Sequence, residues 1–223
     1  MYLSRLVINS RNLLGFRSLL DPYEAHRTIW RGFPEKDRGG PGRVLFRLER
    51  SAASSRLVML VQSSLEPNWR PLLEEQILLS ADDPKELKPD LLDRLSRAGR
   101  RLRFRLRANP TARRIADETS REEGGNPVRK RVGLFGDDQQ MKWLQRKAEQ
   151  GGFRLIDCRI SARGNSDCRK TSQGKRQGIR HLSVLFEGIL EVTDGATFLA
   201  TLQSGIGSAK GFGFGLLSVA PVS

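Results

Sequence analysis

Arg101-Leu102-Arg103-Phe104-Arg105-Leu106-Arg107 alternates without interruption. A period of two places its four arginines on one face of an extended chain and Leu102, Phe104 and Leu106 on the other. The segment therefore reads as a strand, Arg101–Ala108, stopped by Asn109-Pro110. Its apolar face needs a covering layer. Downstream, Asp137–Gln150 reads as a helix capped by Asp137 or Asp138 and ended by Gly151-Gly152. Phe153–Ile160 and His181–Val192 read as strands, Ala196–Leu202 as a helix and Gly215–Val219 as a strand. The order is β-α-β-β-α-β.

The same order precedes it. Tyr2–Asn9 reads as a strand and Asp21–Phe33 as the first helix, with Asp21 as N-cap and Pro22 at the first helical position. Gly39-Gly40-Pro41-Gly42 breaks the chain before two strands, Arg43–Glu49 and Arg56–Ser63. A short helix at Trp69–Glu75 and a strand at Gln76–Ser80 follow. The repeat lies in element order rather than residue identity. It predicts an α+β protein of two tandem ferredoxin-like domains, each an antiparallel sheet with helices on one face. The expected domains are residues 1–85 and 100–223, joined by a charged, proline-punctuated linker, 86–99, with one amphipathic turn or helix at Leu91–Leu95. Residues Arg113–Gly133, polar and glycine-rich, read as a mobile loop.

Lys and Arg number 39 against 25 Asp and Glu, a formal charge of +14. Most of the cations are arginine, which suits bidentate phosphate contact and base stacking. Such a balance favours a polyanion over an incidental basic surface, because binding releases counterions. No apolar run approaches the roughly 20 residues that span a bilayer. The apolar piece Leu6–Ile8 is too short for a secretory pattern, so the expected location is the cytoplasm. Cys158 and Cys168, nine residues apart in the intervening count, form no Cys-x-x-Cys pair and read as unpaired thiols. With His26 and His181 as the two histidines, neither a metal nor another cofactor is expected. Catalysis would then work by acid, base or electrostatics.

Several segments could carry that chemistry. The arginines of the alternating strand, Arg103, Arg105 and Arg107 among them, either face solvent or meet an anion that relieves their mutual repulsion. The connection from Arg163 to Arg180, including Arg169, Lys170, Lys175 and Arg176, reads as a mobile basic hairpin or as a surface loop. The run from Gly205 to Gly215 nearly fits three motifs and fails each. Lys210 precedes glycine, against the order of a phosphate loop, and it stands where a dinucleotide fingerprint needs glycine. Lys210–Phe214 matches the opening of an RNP1 strand, but the helix and strand that should follow RNP1 are not found after it. What survives is that Gly207, Gly211 and Gly213 let the backbone approach a phosphate while Lys210 adds charge, or that they only relieve a tight turn. Tyr23 and His26 lie three apart on one helix and share a face; Arg27 and Arg31 follow. RNA can be cut by its own 2′-hydroxyl, given in-line geometry, proton transfer and positive charge. A His, a Tyr and nearby cations supply these without metal, whereas the bland reading is an exposed His and a half-buried Tyr. His181 reads as structural or as a minor RNA contact.

Four stretches together resemble one family over nearly the whole chain. They are Asp21-Pro22-Tyr23-Glu24-Ala25-His26-Arg27-Thr28, Leu102–Pro110, Val184–Gly188 and the glycine run leading to Leu216-Leu217-Ser218-Val219-Ala220-Pro221. The chain resembles the repeat-RNA endoribonuclease of type I-E CRISPR systems, the CasE family of the RAMP superfamily. That resemblance implies two ferredoxin-like domains, a CRISPR repeat stem-loop as substrate, and metal-independent cleavage at the 3′ base of the stem through a 2′,3′-cyclic phosphate. It implies an enzyme that stays on its product as a subunit of the Cascade complex. It places the catalytic pair on Tyr23 and His26, a basic active-site residue on Arg31, the glycine-rich loop on 205–215 and a major-groove-binding hairpin before Val184. Two other readings stand beside it: a non-catalytic repeat-RNA-binding subunit, told apart by binding without scission, and a general RNA chaperone, told apart by equal affinity for unrelated hairpins.

Overall fold

The computed structural model describes residues 1–34, 40, 42–51, 54–115, 129–172 and 175–222, and of residues 129, 167–172 and 175–179 the backbone alone. The chain runs β1 (Tyr2–Ile8), α1 (Leu13–Leu20), α2 (Pro22–Trp30), β2 (Leu45–Arg50), β3 (Leu57–Ser63), α3 (Arg70–Glu74), β4 (Leu78–Ala81) and a two-residue β5 (Lys85–Glu86). The second half follows with α4 (Pro89–Ser96), β6 (Arg101–Ala108), β7 (Thr111–Ile115), β8 (Arg129–Gly133), α5 (Asp137–Gln150), β9 (Phe153–Ser172), β10 (Lys175–Val192), α6 (Gly195–Ser204) and β11 (Leu217–Pro221).

Two main antiparallel sheets result, in the orders β2-β3-β1-β4, with β5 also on β1, and β11-β6-β10-β9; β7 and β8 form a third, two-stranded one. Counted within each half, both orders place the first and third strands at the centre and the second and fourth at the edges. That is the ferredoxin-like arrangement expected from element order. In the first half, Leu19, Ala25, Ile29 and Leu72 of the helices bury against Leu6, Phe46, Met59 and Leu78 of the strands. In the second, Trp143 and Leu144 of α5 and Phe198 and Leu202 of α6 bury against Leu102, Phe104, Leu106 and Phe186. The alternation of Arg101–Ala108 is realised: Leu102, Phe104, Leu106 and Ala108 are buried on the helix side.

Four expectations change. A helix unread in the sequence, α1, precedes the histidine helix, so the latter is the second; Asn12 caps α1 by accepting from Gly15 N at 3.0 Å. α2 ends at Trp30, with Arg31 as its C-cap. The ends of the stretch read as a mobile loop are strands, β7 and β8, paired with each other; residues 116–128 lie outside the described ones, as do Gly39 and Pro41. Of the two readings of the basic connection the hairpin holds over the loop, and its strands run longer than expected: β9 and β10 pair from Phe153↔Val192 to Ser172↔Lys175. Only Val184–Glu191 of β10 also pairs β6, so the outer part of the hairpin is a two-stranded arm. Cys158 and Cys168 both lie on β9, roughly 30 Å apart along an extended strand. Residues 86–99 hold α4, whose Leu95 packs on the second core.

The two sheets are joined by Arg47 of β2, which is 1% exposed. Its Nη1 donates to Arg105 O at 3.2 Å and Leu216 O at 3.1 Å, its Nη2 to Ser218 Oγ at 3.0 Å and its Nε to Glu49 at 3.0 Å. A buried guanidinium is tolerated when its donors are matched this way. Gln62 of β3 adds a bond to Leu202 O at 2.8 Å. No helix among the described residues is long and apolar enough to cross a membrane.

Candidate functional site

Asp21 sits where α1 ends and α2 begins. Its N–H donates to Arg17 O at 3.2 Å, while its side chain accepts from Tyr23 N at 2.8 Å and Glu24 N at 3.3 Å. Such a cap, with Pro22 behind it, fixes where α2 starts and hence which way its faces point. Ala25, Thr28 and Ile29 turn inward and are buried. Tyr23 and His26 remain half-buried on the other side, and the His26 ring centre is 5.3 Å from that of Trp30.

A segment nearly two hundred residues away closes on this helix. Lys210–Phe212 forms a 3-10 turn between Ala209, left-handed at φ 60°, and Gly213 at φ 83°. Its middle residue is Gly211, where a Cβ would lie 3.7 Å from both Cε1 and Nδ1 of His26. The loop is anchored on both flanks: Ile206 N donates to Gly215 O at 2.9 Å, and Gly215 N donates to Arg107 O at 2.8 Å. Gly215 has φ 87°, and a Cβ there would meet Ile206 O at 2.7 Å, so glycine is required on steric grounds. The Lys210 amine donates to Ser204 O at 2.7 Å, and burial pulls its pKa down.

His181 supports the loop from below. Its ring centre lies 5.0 Å from that of Phe212 and 6.0 Å from that of Phe214. Asn109 Nδ2 stands 3.2 Å from Nδ1, and Nε2 is buried with no hydrogen-bond partner among the described residues. Burial lowers the pKa of this ring below its ordinary 6.5.

The expected arginines divide. Arg107 lines a cavity of about 150 Å³ with Pro22, Ala25, Phe46 and Phe212, beside the histidine helix. Burial, then Arg47, pulls its pKa down. Arg105 is held by Glu187 at 2.6 Å and Glu49 at 3.3 Å, and Arg101 by Glu191 at 3.1 Å. The repulsion expected along this strand is thus relieved internally, because Glu187 and Glu191 stand directly across from Arg105 and Arg101 on β10. Arg103 lines a separate groove with Arg47, Arg159 and Ser218. Arg27 pairs with Glu24 at 3.3 Å, and Arg31 pairs with Glu75. Gly207 lies on Trp143, where a Cβ would meet the ring at 3.0 Å. Arg169, Lys170, Lys175 and Arg176 lie on the paired backbone of the arm, with side chains outside the described ones.

Sequence reasoning missed Arg113, Arg131, Arg146 and Lys147, which line a cavity of about 500 Å³ bordered by the same glycine loop. The cross-strand pairing Arg113↔Arg131 was the available signal, visible only once β7 and β8 are recognised as strands.

The geometry therefore joins a His–Tyr helix face and a glycine loop, both on segments that also carry the family resemblance, and sets a basic two-stranded arm before a third, Val184–Gly188. The comparisons with known proteins agree. Residues 1–221 match the family described as "CRISPR associated protein". The chain is 37% identical to CRISPR-associated endoribonuclease Cse3 of Thermus thermophilus, covering 99% of this chain and 100% of that one. It is 31% identical to the CRISPR system Cascade subunit CasE of Escherichia coli K12, covering 100% of both. A solved structure of CRISPR endoribonuclease Cse3 bound to 19 nt RNA superposes with a TM-score of 0.81 at 37% identity, covering 99% of this chain and 100% of that one. With sequence and fold matched over nearly its whole length, the chain belongs to the CRISPR-associated protein family that includes Cse3 and CasE.

Proposed function

We propose that this protein is a cytoplasmic, metal-independent endoribonuclease that binds the stem-loop of CRISPR repeat RNA and cuts the precursor at the 3′ base of the stem. It then stays on the product as a Cascade subunit. The observation that carries the reading is the approach of Gly211 to His26: a backbone without a side chain runs beside a half-buried imidazole, leaving the surface between them open to a phosphate. The relatives fit, one being an endoribonuclease solved with bound RNA and the other a Cascade subunit.

In the reaction the 2′-oxygen attacks the adjacent phosphorus and loses its proton, the P–O5′ bond breaks, and the 5′-oxygen takes up a proton. The products are a 2′,3′-cyclic phosphate and a 5′-hydroxyl. His26 moves a proton as general acid or base, and Tyr23 orients the 2′-hydroxyl or holds the phosphate. Arg27, Arg31 and Arg107 place positive charge near the phosphate, and the loop residues Gly207, Lys210, Gly211 and Gly213 let the strand come close. Arg169, Lys170, Lys175 and Arg176 follow the stem along the arm, while Arg103 and Arg105 add charge at the junction of the sheets. In this division, residues 1–85 carry the proton-transfer helix and 100–223 the grip on RNA, with 86–99 between.

Incubation with a repeat stem-loop in EDTA tests this. The expected result is scission to a cyclic phosphate, with His26→Ala slowing it about 10²–10⁴-fold while binding is kept. Intact RNA in EDTA, or full activity in His26→Ala, would sink the proposal; binding by the native protein without scission would make it a non-catalytic subunit.

A further inference from the structure

The cavity of about 500 Å³ beside the glycine loop is lined by Arg113, Arg131, Arg146, Lys147 and Lys210, and by no carboxylate among the described residues. Its cations come from four separate elements. Arg113 and Arg131 stand directly opposite each other across β7 and β8, an arrangement that destabilises a hairpin unless something neutralises it. Arg146 and Lys147 come from α5. Lys210 comes from the glycine loop, and Lys147 is among the groups that lower its pKa. Among the described residues, none of Arg113, Arg131, Arg146 or Lys147 forms an ion pair. The arginines of β6 provide the contrast, since glutamates compensate Arg101 and Arg105. Here, among the described residues, charge is gathered without a matching carboxylate.

The shape of the cavity narrows the ligand. Trp143, 3% exposed, and Ile206 give it an apolar base, and Gly207 lies flat on the indole where any side chain would collide. Thr111 and Ser208 add hydroxyls, 3.3 Å apart. Its size is that of a small-ligand pocket; it admits a nucleotide or two and excludes a double helix. Guanidinium groups suit both the phosphates and the base planes of a single strand.

The loop supplies the connection to the chemistry. Lys210 lines this cavity, and its neighbour Gly211 abuts His26. A strand crossing the His26 face therefore reaches the cavity within one turn of the loop. On the reading given above, the RNA upstream of the scissile bond is the stem, a duplex, and the RNA downstream is single-stranded. We propose that this cavity is a phosphate-binding subsite for the single-stranded RNA immediately downstream of the scissile bond. The proposal rests on the nuclease reading and can fail without it.

The test uses a repeat stem-loop made uncleavable by a 2′-deoxy nucleotide at the attacking position. One form ends just after the scissile phosphate; the other continues for four nucleotides. The native protein is expected to bind the longer form about tenfold more tightly at moderate salt, as two or three phosphate contacts would give. Arg146→Ala and the double variant Arg113→Ala/Arg131→Ala, placed on different elements, are each expected to cut that preference to about twofold or less while holding the shorter form as the native protein does. Equal binding of the two forms by the native protein overturns the subsite, as does an equal loss on both forms in the variants. Failure of the native protein to bind either form overturns the nuclease reading and the subsite with it.

Discussion

The two sheets share a strand order and use it differently. In the first half the four principal strands run four to seven residues, and the residues proposed to move protons sit on a helix whose start is fixed by a capping aspartate. In the second half two strands run on for 20 and 18 residues, well past the part that helices cover. On the proposed function, one half would act through a decorated helix and the other would hold RNA through a lengthened hairpin. The difference teaches that a shared topology can serve two tasks, separated by element length and capping. The glycine loop is the exception, since it belongs to the second half and lies against the helix of the first.

The comparison can be tested where the halves meet. Arg47→Ala removes the bonds to Arg105 O, Leu216 O and Ser218 Oγ and leaves Glu49 to Arg105 alone, and is expected to lower unfolding stability by about 3–5 kcal/mol, read from urea denaturation. A loss below about 1 kcal/mol would mean that the halves stand largely on their own. Within the loop, Gly215→Ala forces φ 87° on a side chain that meets Ile206 O at 2.7 Å, and should cost about 2–3 kcal/mol. Gly211→Ala has room at 3.7 Å, so its stability should hold within about 0.5 kcal/mol. Its cleavage rate should fall about tenfold as a methyl enters the space beside His26. A Gly211→Ala enzyme at full rate would detach the loop from the chemistry.

The smallest effect concerns pH. Burial favours neutral His181, so its contribution to stability is complete above 6.5 and is lost as pH falls from there toward the lowered folded value. His181→Gln should therefore flatten the difference in melting temperature between pH 7.5 and pH 5.5. An unchanged pH dependence would move the acid sensitivity elsewhere.

Local periodicity and caps made much of this fold legible. Arg101–Ala108 and Asp137–Gln150 are found where alternation and capping place them, and Asp21-Pro22 marks the start of the histidine helix. α1 was hidden because Leu13 and Leu14 are 66% and 80% exposed and so break the expected apolar stripe; Asn12 was its one usable signal. β7, β8 and the outer arm were hidden by charge, since arginine-rich strands lack the alternation that announces a half-buried sheet. Of the candidate site, Tyr23 and His26 could be paired by spacing alone, but the approach of Gly211 depends on the packing of one half against the other, which no local pattern encodes. Arg47 shows the same limit. In Phe46-Arg47-Leu48-Glu49 it occupies the alternating position that ordinarily faces water, and the second sheet covers it.

The way Arg47 makes its bonds has an evolutionary corollary. Two of its acceptors are main-chain oxygens, at positions 105 and 216, and a peptide carbonyl is the same whatever residue bears it. Changing the residues at 105 or 216 would therefore not by itself remove these two bonds, so covariation with position 47 is expected at its side-chain partners, Glu49 and Ser218, and not through the carbonyl of 216. The joint would be inherited through backbone shape, one arginine and those two partners, leaving the rest of the opposing surface open to drift as repeat sequences diverge.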